Sequence, residues 1–202
     1  LVSIYDLKPK FQRLLRPLCI KLAHIGVTAN QVTIGALVLS FFYGGVLIWQ
    51  PEALWVLLML PVVLFVRMSL NAIDGMLARE LNMKSRRGAV LNEMGDVLSD
   101  AFLYLPLALH PAIDLWLIVG IVLLGTMVEM MGVVAIQIGG SRRYDGPFGK
   151  SDRAFAFGLL TILLGSSVQT GPWISWYLWV AFILSGLTMI NRGKKALLET
   201  ND

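Results

Sequence analysis

Apolar residues run through this chain in long blocks separated by short polar connections. A helix needs ~20 mostly apolar residues to cross a bilayer, and blocks of that size fall near 30–50, 53–79, 88–110, 114–139, 153–169 and 173–191. The pattern predicts six transmembrane helices. Ahead of them, Ile4, Leu7, Phe11, Leu14, Leu15, Leu18 and Leu22 recur at helical spacing, with cations on the other face. That arrangement predicts an amphipathic helix lying on the membrane surface within residues 1–26. Pro9 suits its first turn, and Pro17 is expected to bend or break it. Gly26 is expected to end this helix and Asn30 to cap the first span.

The polar positions then orient the spans. The connections WQPEA, LHPAIDL and VQTGPWISW hold no Lys or Arg. Sixteen of the 17 cations fall instead in the N-terminal segment, the second-to-third and fourth-to-fifth connections and the tail, Arg67 being the exception. By the positive-inside rule both termini and residues 71–100 face the cytoplasm. Trp49, Trp55, Trp116, Trp173 and Trp176 cluster on the cation-poor side as an aromatic belt.

Composition agrees with this picture. Hydrophobic residues make up 56% of the 202, charged residues 15%, and the mean hydropathy is +0.71. These values describe an all-α integral membrane protein, read as one domain over 1–202 with a six-helix core at 30–191. The net charge of +4 follows from the topology, and no nucleic-acid partner is expected. The single Cys19 excludes an internal disulfide. No signal peptide is expected, because the first apolar run follows a basic segment and lacks a small-residue cleavage pattern.

Against this apolar background, residues 71–100 hold five carboxylates: Asp74, Glu80, Glu93, Asp96 and Asp100. Ionisable groups in or beside a membrane are costly and mark functional sites. Asn71 and Asp74 share one face of the second span. Asn92, Asp96 and Asp100 follow at i, i+4 along the third, with Glu93 one turn before Asp96. Two facing helices thus offer hard oxygen donors suited to Mg²⁺ or Mn²⁺. Gly75 and Ala78 remove bulk beside the acids, Arg79 and Ser85 add anion-binding groups, and Gly88 lets the chain turn into the third span. A transporter would also place acids among helices, but it predicts broken helices and an internal repeat, and neither is seen.

The run Asn71-x2-Asp74-Gly75-x2-Ala78-Arg79-x8-Gly88-x3-Asn92-x3-Asp96 resembles the CDP-alcohol phosphotransferase signature, Asp-x2-Asp-Gly-x2-Ala-Arg-x8-Gly-x3-Asp-x3-Asp. The spacing matches throughout. Thr28-Ala29-Asn30-x2-Thr33 stands where that family usually has Thr-Pro-Asn. The resemblance implies the branch that uses CDP-diacylglycerol: a phosphatidyl group passes to the hydroxyl of a small polyol and CMP is released. It further implies Mg²⁺ or Mn²⁺ held at Asn71, Asp74, Asn92 and Asp96, with Asp96 as the base. Gly75, Ala78, Arg79 and Ser85, together with Asn30, Gln31, Val32 and Thr33, fall at positions for the CDP-lipid. A homodimer in a bacterial inner membrane, with its site facing the cytoplasm, is likewise implied.

The chain departs from the signature at Asn71 and Asn92. Two carboxylates and two amides replace four carboxylates, a charge of −2 instead of −4. Glu93, Asp100 or the substrate pyrophosphate would have to supply the balance. A catalytically silent lipid- or nucleotide-binding protein is the alternative that this departure keeps open.

Between the fourth and fifth spans lies GGSRRYDGPFGKSDRAF, residues 139–155. Arg142, Arg143, Lys150 and Arg153 are read as a seat for an acceptor phosphate, as in glycerol 3-phosphate or inositol phosphate, with Ser151 capping the fifth span. The competing reading is a basic loop that only touches anionic lipid headgroups; a neutral alcohol is the competing acceptor. Arg67 and Glu129, each inside an apolar run, are expected in buried structural ion pairs. His24 and His110 are read as interfacial.

Overall fold

The computed structural model describes residues 8–166 and 168–200. Every regular element among them is helical: α1 Lys8–His24, α2 Ala29–Trp49, α3 Leu54–Glu80, α4 Arg86–Tyr104, α5 Leu115–Gln137, α6 Lys150–Gly165 and α7 Pro172–Glu199. A 3₁₀ segment, Leu105–Leu109, follows α4. Ile4 and Leu7 of the expected surface helix lie outside the described residues.

Helix α1 runs through Pro17 without a break. Pro17 lacks an N–H for the carbonyl of Arg13, but both residues are exposed, so the freed oxygen faces outward. Gly26 ends the helix as expected. At φ +83° it lets its own N–H reach the Ala23 carbonyl at 3.0 Å and the N–H of Val27 reach that of Leu22 at 3.0 Å.

The next cap differs from expectation. Thr28, not Asn30, caps α2, in a reciprocal pair with Gln31: Thr28 Oγ1 accepts from the Gln31 N–H, and Gln31 Oε1 accepts from that of Thr28. Asn30 therefore lies in the first turn, with its side chain free for other work.

Helices α2, α3, α5 and α7 are long and apolar enough to cross a membrane. The other two predicted spans differ from them. At 16 residues, α6 is ~24 Å long at 1.5 Å per residue. Helix α4 carries Arg86, Arg87, Glu93, Asp96 and Asp100 within 19 residues, and stops at Tyr104 instead of continuing to 110. Pro106 explains the stop: it supplies no N–H for the Phe102 carbonyl, and the chain tightens into the 3₁₀ segment although Leu105 itself keeps α-helical angles.

Helix α2 packs on α3 and α4, α3 on α6, α5 on α7, and α1 lies along α3. The main apolar core joins Leu57, Leu60, Leu103, Ile118, Leu160 and Leu178. A smaller cluster of Cys19, Val32, Ile73, Met76 and Leu77 seats α1 against α2 and α3. Close approach between α2 and α4 depends on Gly44, where a Cβ would stand 2.3 Å from the Phe102 carbonyl oxygen. Such small-residue contacts let helices pack where lipid is as apolar as the side chains. Outward-facing side chains such as Phe41, Phe42, Trp116 and Trp176 form an exposed apolar surface.

Candidate active site

A cavity of about 1090 Å³ opens among α2, α3, α4 and α6. Its polar end gathers Asn30 and Thr33 from α2, then Asn71, Asp74, Gly75, Ala78 and Arg79 from α3. Ser85, Gly88, Asn92, Glu93 and Asp96 come from the start and body of α4, and Arg142 and Lys150 from the chain leading into α6. The other end is apolar: Phe11, Pro61, Phe65, Phe155, Leu159 and Ile162. The helical spacing read from residues 71–96 thus brings the predicted faces of α3 and α4 onto one cavity.

Each retained acid is held by a neighbour. Thr33 Oγ1 donates to Asp74 Oδ2 at 2.9 Å, joining α2 to α3 at the cavity wall. Asn71 Nδ2 donates to Asp96 Oδ1 at 3.2 Å, across from α3 to α4. The Lys150 ammonium pairs with that same oxygen. Arg67 donates to the Asp96 backbone carbonyl at 3.1 Å and stands 3.9 Å from Oδ1.

Two close approaches shape the polar end. A Cβ on Gly75 would stand 2.6 Å from Arg79 Nη2, so the guanidinium folds back across bare backbone. A Cβ on Gly88 would stand 2.5 Å from Asn30 Oδ1; its absence lets Asn30 Nδ2 reach Ser85 Oγ at 3.4 Å. Ser85 also caps α4, accepting from the Gly88 N–H at 2.9 Å.

Behind the acids runs a buried chain of charges. Arg67 Nη1 is 2.7 Å from Asp100 Oδ1, and Arg153 grips Asp100 Oδ2 through Nη2 at 2.9 Å and Nε at 3.2 Å. Arg153 also donates to Glu129 at 3.1 Å, and Arg192 to the other Glu129 oxygen at 3.4 Å. Arg142 pairs with Glu93 at 2.5 Å and lies over the Tyr144 ring. Arg67 and Glu129 thus find ion-pair partners, though not in each other.

Not every candidate reaches the cavity lining. Gln31 is occupied by the α2 cap and Val32 by the small apolar cluster. Asp100 and Arg153 lie behind the wall, bound to each other. Arg143 turns away to Asp145 and Glu199, at 2.7 and 2.8 Å. Ser151 does not cap α6. Gly149 holds that position, because the Asp152 carboxylate reaches back to the Gly149 N–H at 2.9 Å and starts the helix earlier.

Glu129 and Arg192 line the cavity and were read only as a structural ion and a tail cation. For Arg192 a signal was present: Ser185, Thr188 and Arg192 recur at helical spacing at the end of the last apolar run, a polar stripe that the structure buries.

Outside the helices, Asp145 ties the α5–α6 loop to α7. Partial burial pushes its carboxyl up, but hydrogen bonds from Lys195 and Arg143 outweigh this and hold it below the usual range.

The CDP-alcohol phosphatidyltransferase family model matches residues 26–187, so the chain belongs to that family and is an enzyme of that class. It is 45% identical over 200 residues to the inner membrane protein YnbA of Escherichia coli (strain K12), with 98% of each chain covered. The fold is that of Mycobacterium tuberculosis phosphatidylinositol phosphate synthase. The structure with CDP-DAG bound has a TM-score of 0.74 at 20% identity, covering 92% of this chain and 94% of that one. The complex with manganese and citrate has a TM-score of 0.73 at 21% identity, covering 89% and 87%. The four long apolar helices mark this chain as a membrane protein.

Proposed function

We propose that the chain transfers a phosphatidyl group from CDP-diacylglycerol to the hydroxyl of a small polyol and releases CMP. The observation that carries this reading is the cavity itself: an apolar wall runs into a polar end where Asp74 and Asp96 stand beside Arg79 and Lys150. An amphiphile with two acyl chains and a pyrophosphate has that shape and polarity. The CDP-DAG bound to the M. tuberculosis enzyme supports the choice of donor.

Asp96 is the base in this reading. Lys150, Asn71 and Arg67 all approach Oδ1, which fixes the carboxylate and leaves Oδ2 to take the acceptor's proton. The acceptor oxygen then bonds to the β-phosphorus as the bond to the CMP oxygen breaks. Arg79, lying over Gly75, faces the donor phosphates, and Asn30 and Ser85 meet beside it.

The residues present fit a divalent cation. Carboxylates Asp74 and Asp96 and the amide oxygens of Asn71 and Asn92 line one cavity, and Mg²⁺ and Mn²⁺ take such hard oxygen donors. Among the described residues no three Asp, Glu, His or Cys side chains form a metal group, and the two amides add oxygen donors to the two carboxylates. When bound there, such an ion would neutralise charge developing on phosphate oxygens. The manganese complex of the M. tuberculosis enzyme supports a divalent cofactor.

For the acceptor, a phosphorylated polyol fits best. Arg142 and Lys150 line the cavity, and Arg143 and Arg153 brace that region from outside it through salt bridges. In this reading α4 and α6 complete six spans, and the cation distribution supports both termini and the site facing the cytoplasm. The name of the E. coli relative supports an inner-membrane location. A homodimer belongs to the same reading.

The two asparagines favour a second reading, a catalytically silent lipid-binding protein. One assay separates them: purified protein with CDP-diacylglycerol, Mg²⁺ or Mn²⁺, and a panel of phosphorylated and free polyols. CMP release with a new lipid product by mass spectrometry is expected. CDP-diacylglycerol binding without CMP release would favour the silent reading, and turnover of free alcohols alone would remove the phosphate seat.

A further inference from the structure

We infer that this site carries a single divalent cation and that the Lys150 ammonium stands in for a second. The inference rests on the transferase reading and concerns the site's cation content. This chain keeps two of the four signature carboxylates, Asp74 and Asp96; with the Lys150 ammonium beside them, one divalent ion brings the set to +1, which the donor's pyrophosphate offsets, whereas two would bring it to +3.

The side chains around Asp96 show what replaced the missing charge. Asn71 is more than a neutral stand-in for Asp: its amide donates to Asp96 Oδ1 at 3.2 Å. A carboxylate at position 71 would present an oxygen to that oxygen and repel it. Lys150 completes the exchange from α6, placing an ammonium on the same Oδ1.

Together these contacts fill the coordination of that oxygen with protein donors. A metal approaching it would have to displace an ammonium and an amide, and would gain a donor set lacking two of the signature's charges. Asp74 differs: its side-chain hydrogen-bond partner is the neutral Thr33 hydroxyl, and among the described residues no cation bonds to its carboxylate directly. One ion held by Asp74, the Asn92 oxygen and the donor's pyrophosphate fits the chemistry of these groups and leaves Asp96 Oδ2 open for the acceptor's proton.

The test titrates Mn²⁺ against the full chain in detergent, saturated with CDP-diacylglycerol and without acceptor, read by electron paramagnetic resonance and calorimetry. One Mn²⁺ per chain, with the spectrum of an isolated ion, is expected. Two ions per chain, a spin-coupled pair or no bound ion would overturn the inference. Adding a polyol phosphate to the same samples and following CMP judges the transferase reading separately.

A variant carrying Asn71→Asp, Asn92→Asp and Lys150→Met is expected to bind a second Mn²⁺; one ion only would count against the inference. Should it fail to fold, Lys150→Gln in the native background is read instead. Removing a fixed positive charge beside the ion should tighten Mn²⁺ by about tenfold, and an unchanged dissociation constant would overturn the idea.

Discussion

Thr33 and Lys150 hold the two signature acids from separate helices, one through a hydroxyl on Asp74 and the other through an ammonium on Asp96. Both acids are expected to be indispensable. Asp74→Ala and Asp96→Ala should each lower CMP release ~10³-fold or more while the protein stays folded. Near-native turnover in either would remove the site assignment. Arg153 poses a different question, being 2% exposed and shared between Asp100 and Glu129. Arg153→Met leaves those carboxylates short of a partner, and breaking a buried pair costs about 3–5 kcal/mol. Thermal unfolding in detergent should show that loss. A variant with native stability but a raised KM for the acceptor would place Arg153 on the substrate instead.

At the scale of elements, the fit of α4 against α2 depends on the bare backbone of Gly44. Gly44→Val is expected to push α4 outward and lower the unfolding temperature, with activity falling because Asp96 rides on α4. An active variant of native stability would show that the contact is dispensable. The α5–α6 loop has its own anchor in Asp145, bonded to Arg143 and Lys195. A carboxyl held below its unfolded value stabilises the fold fully above that value and loses the contribution as pH falls through the folded one. Stability should therefore drop below the ordinary Asp value of ~3.9, and Asp145→Asn should flatten that acid limb. Matching acid limbs in the two proteins would discount the anchor.

Long apolar runs made α2, α3, α5 and α7 legible in the sequence, and the signature spacing made the cavity faces of α3 and α4 legible. What escaped depended on contacts distant along the chain. Thr33 and Asp74 are 41 residues apart, and Lys150 and Asp96 are 54 apart, so no local pattern announces either pair. Caps failed for a nearer reason. At both Asn30 and Ser151 a neighbouring Gln or Asp that reaches back for a backbone N–H decided where the helix began.

On the scale of the whole molecule, the apolar wall of the cavity does not end inside the protein. Phe65, Phe155, Leu159 and Ile162 line it and are also exposed on the outer apolar surface. In the proposed reaction, a donor with acyl chains can therefore slide in from the bilayer and its lipid product slide out again, while CMP would leave to water. The relevant concentration of donor is then its share of the lipid plane. At fixed total CDP-diacylglycerol, adding inert detergent should slow the reaction in proportion to surface dilution. A rate indifferent to that dilution would mean that the lipid arrives through the aqueous mouth, and that the greasy flank serves only to seat the protein among its neighbours.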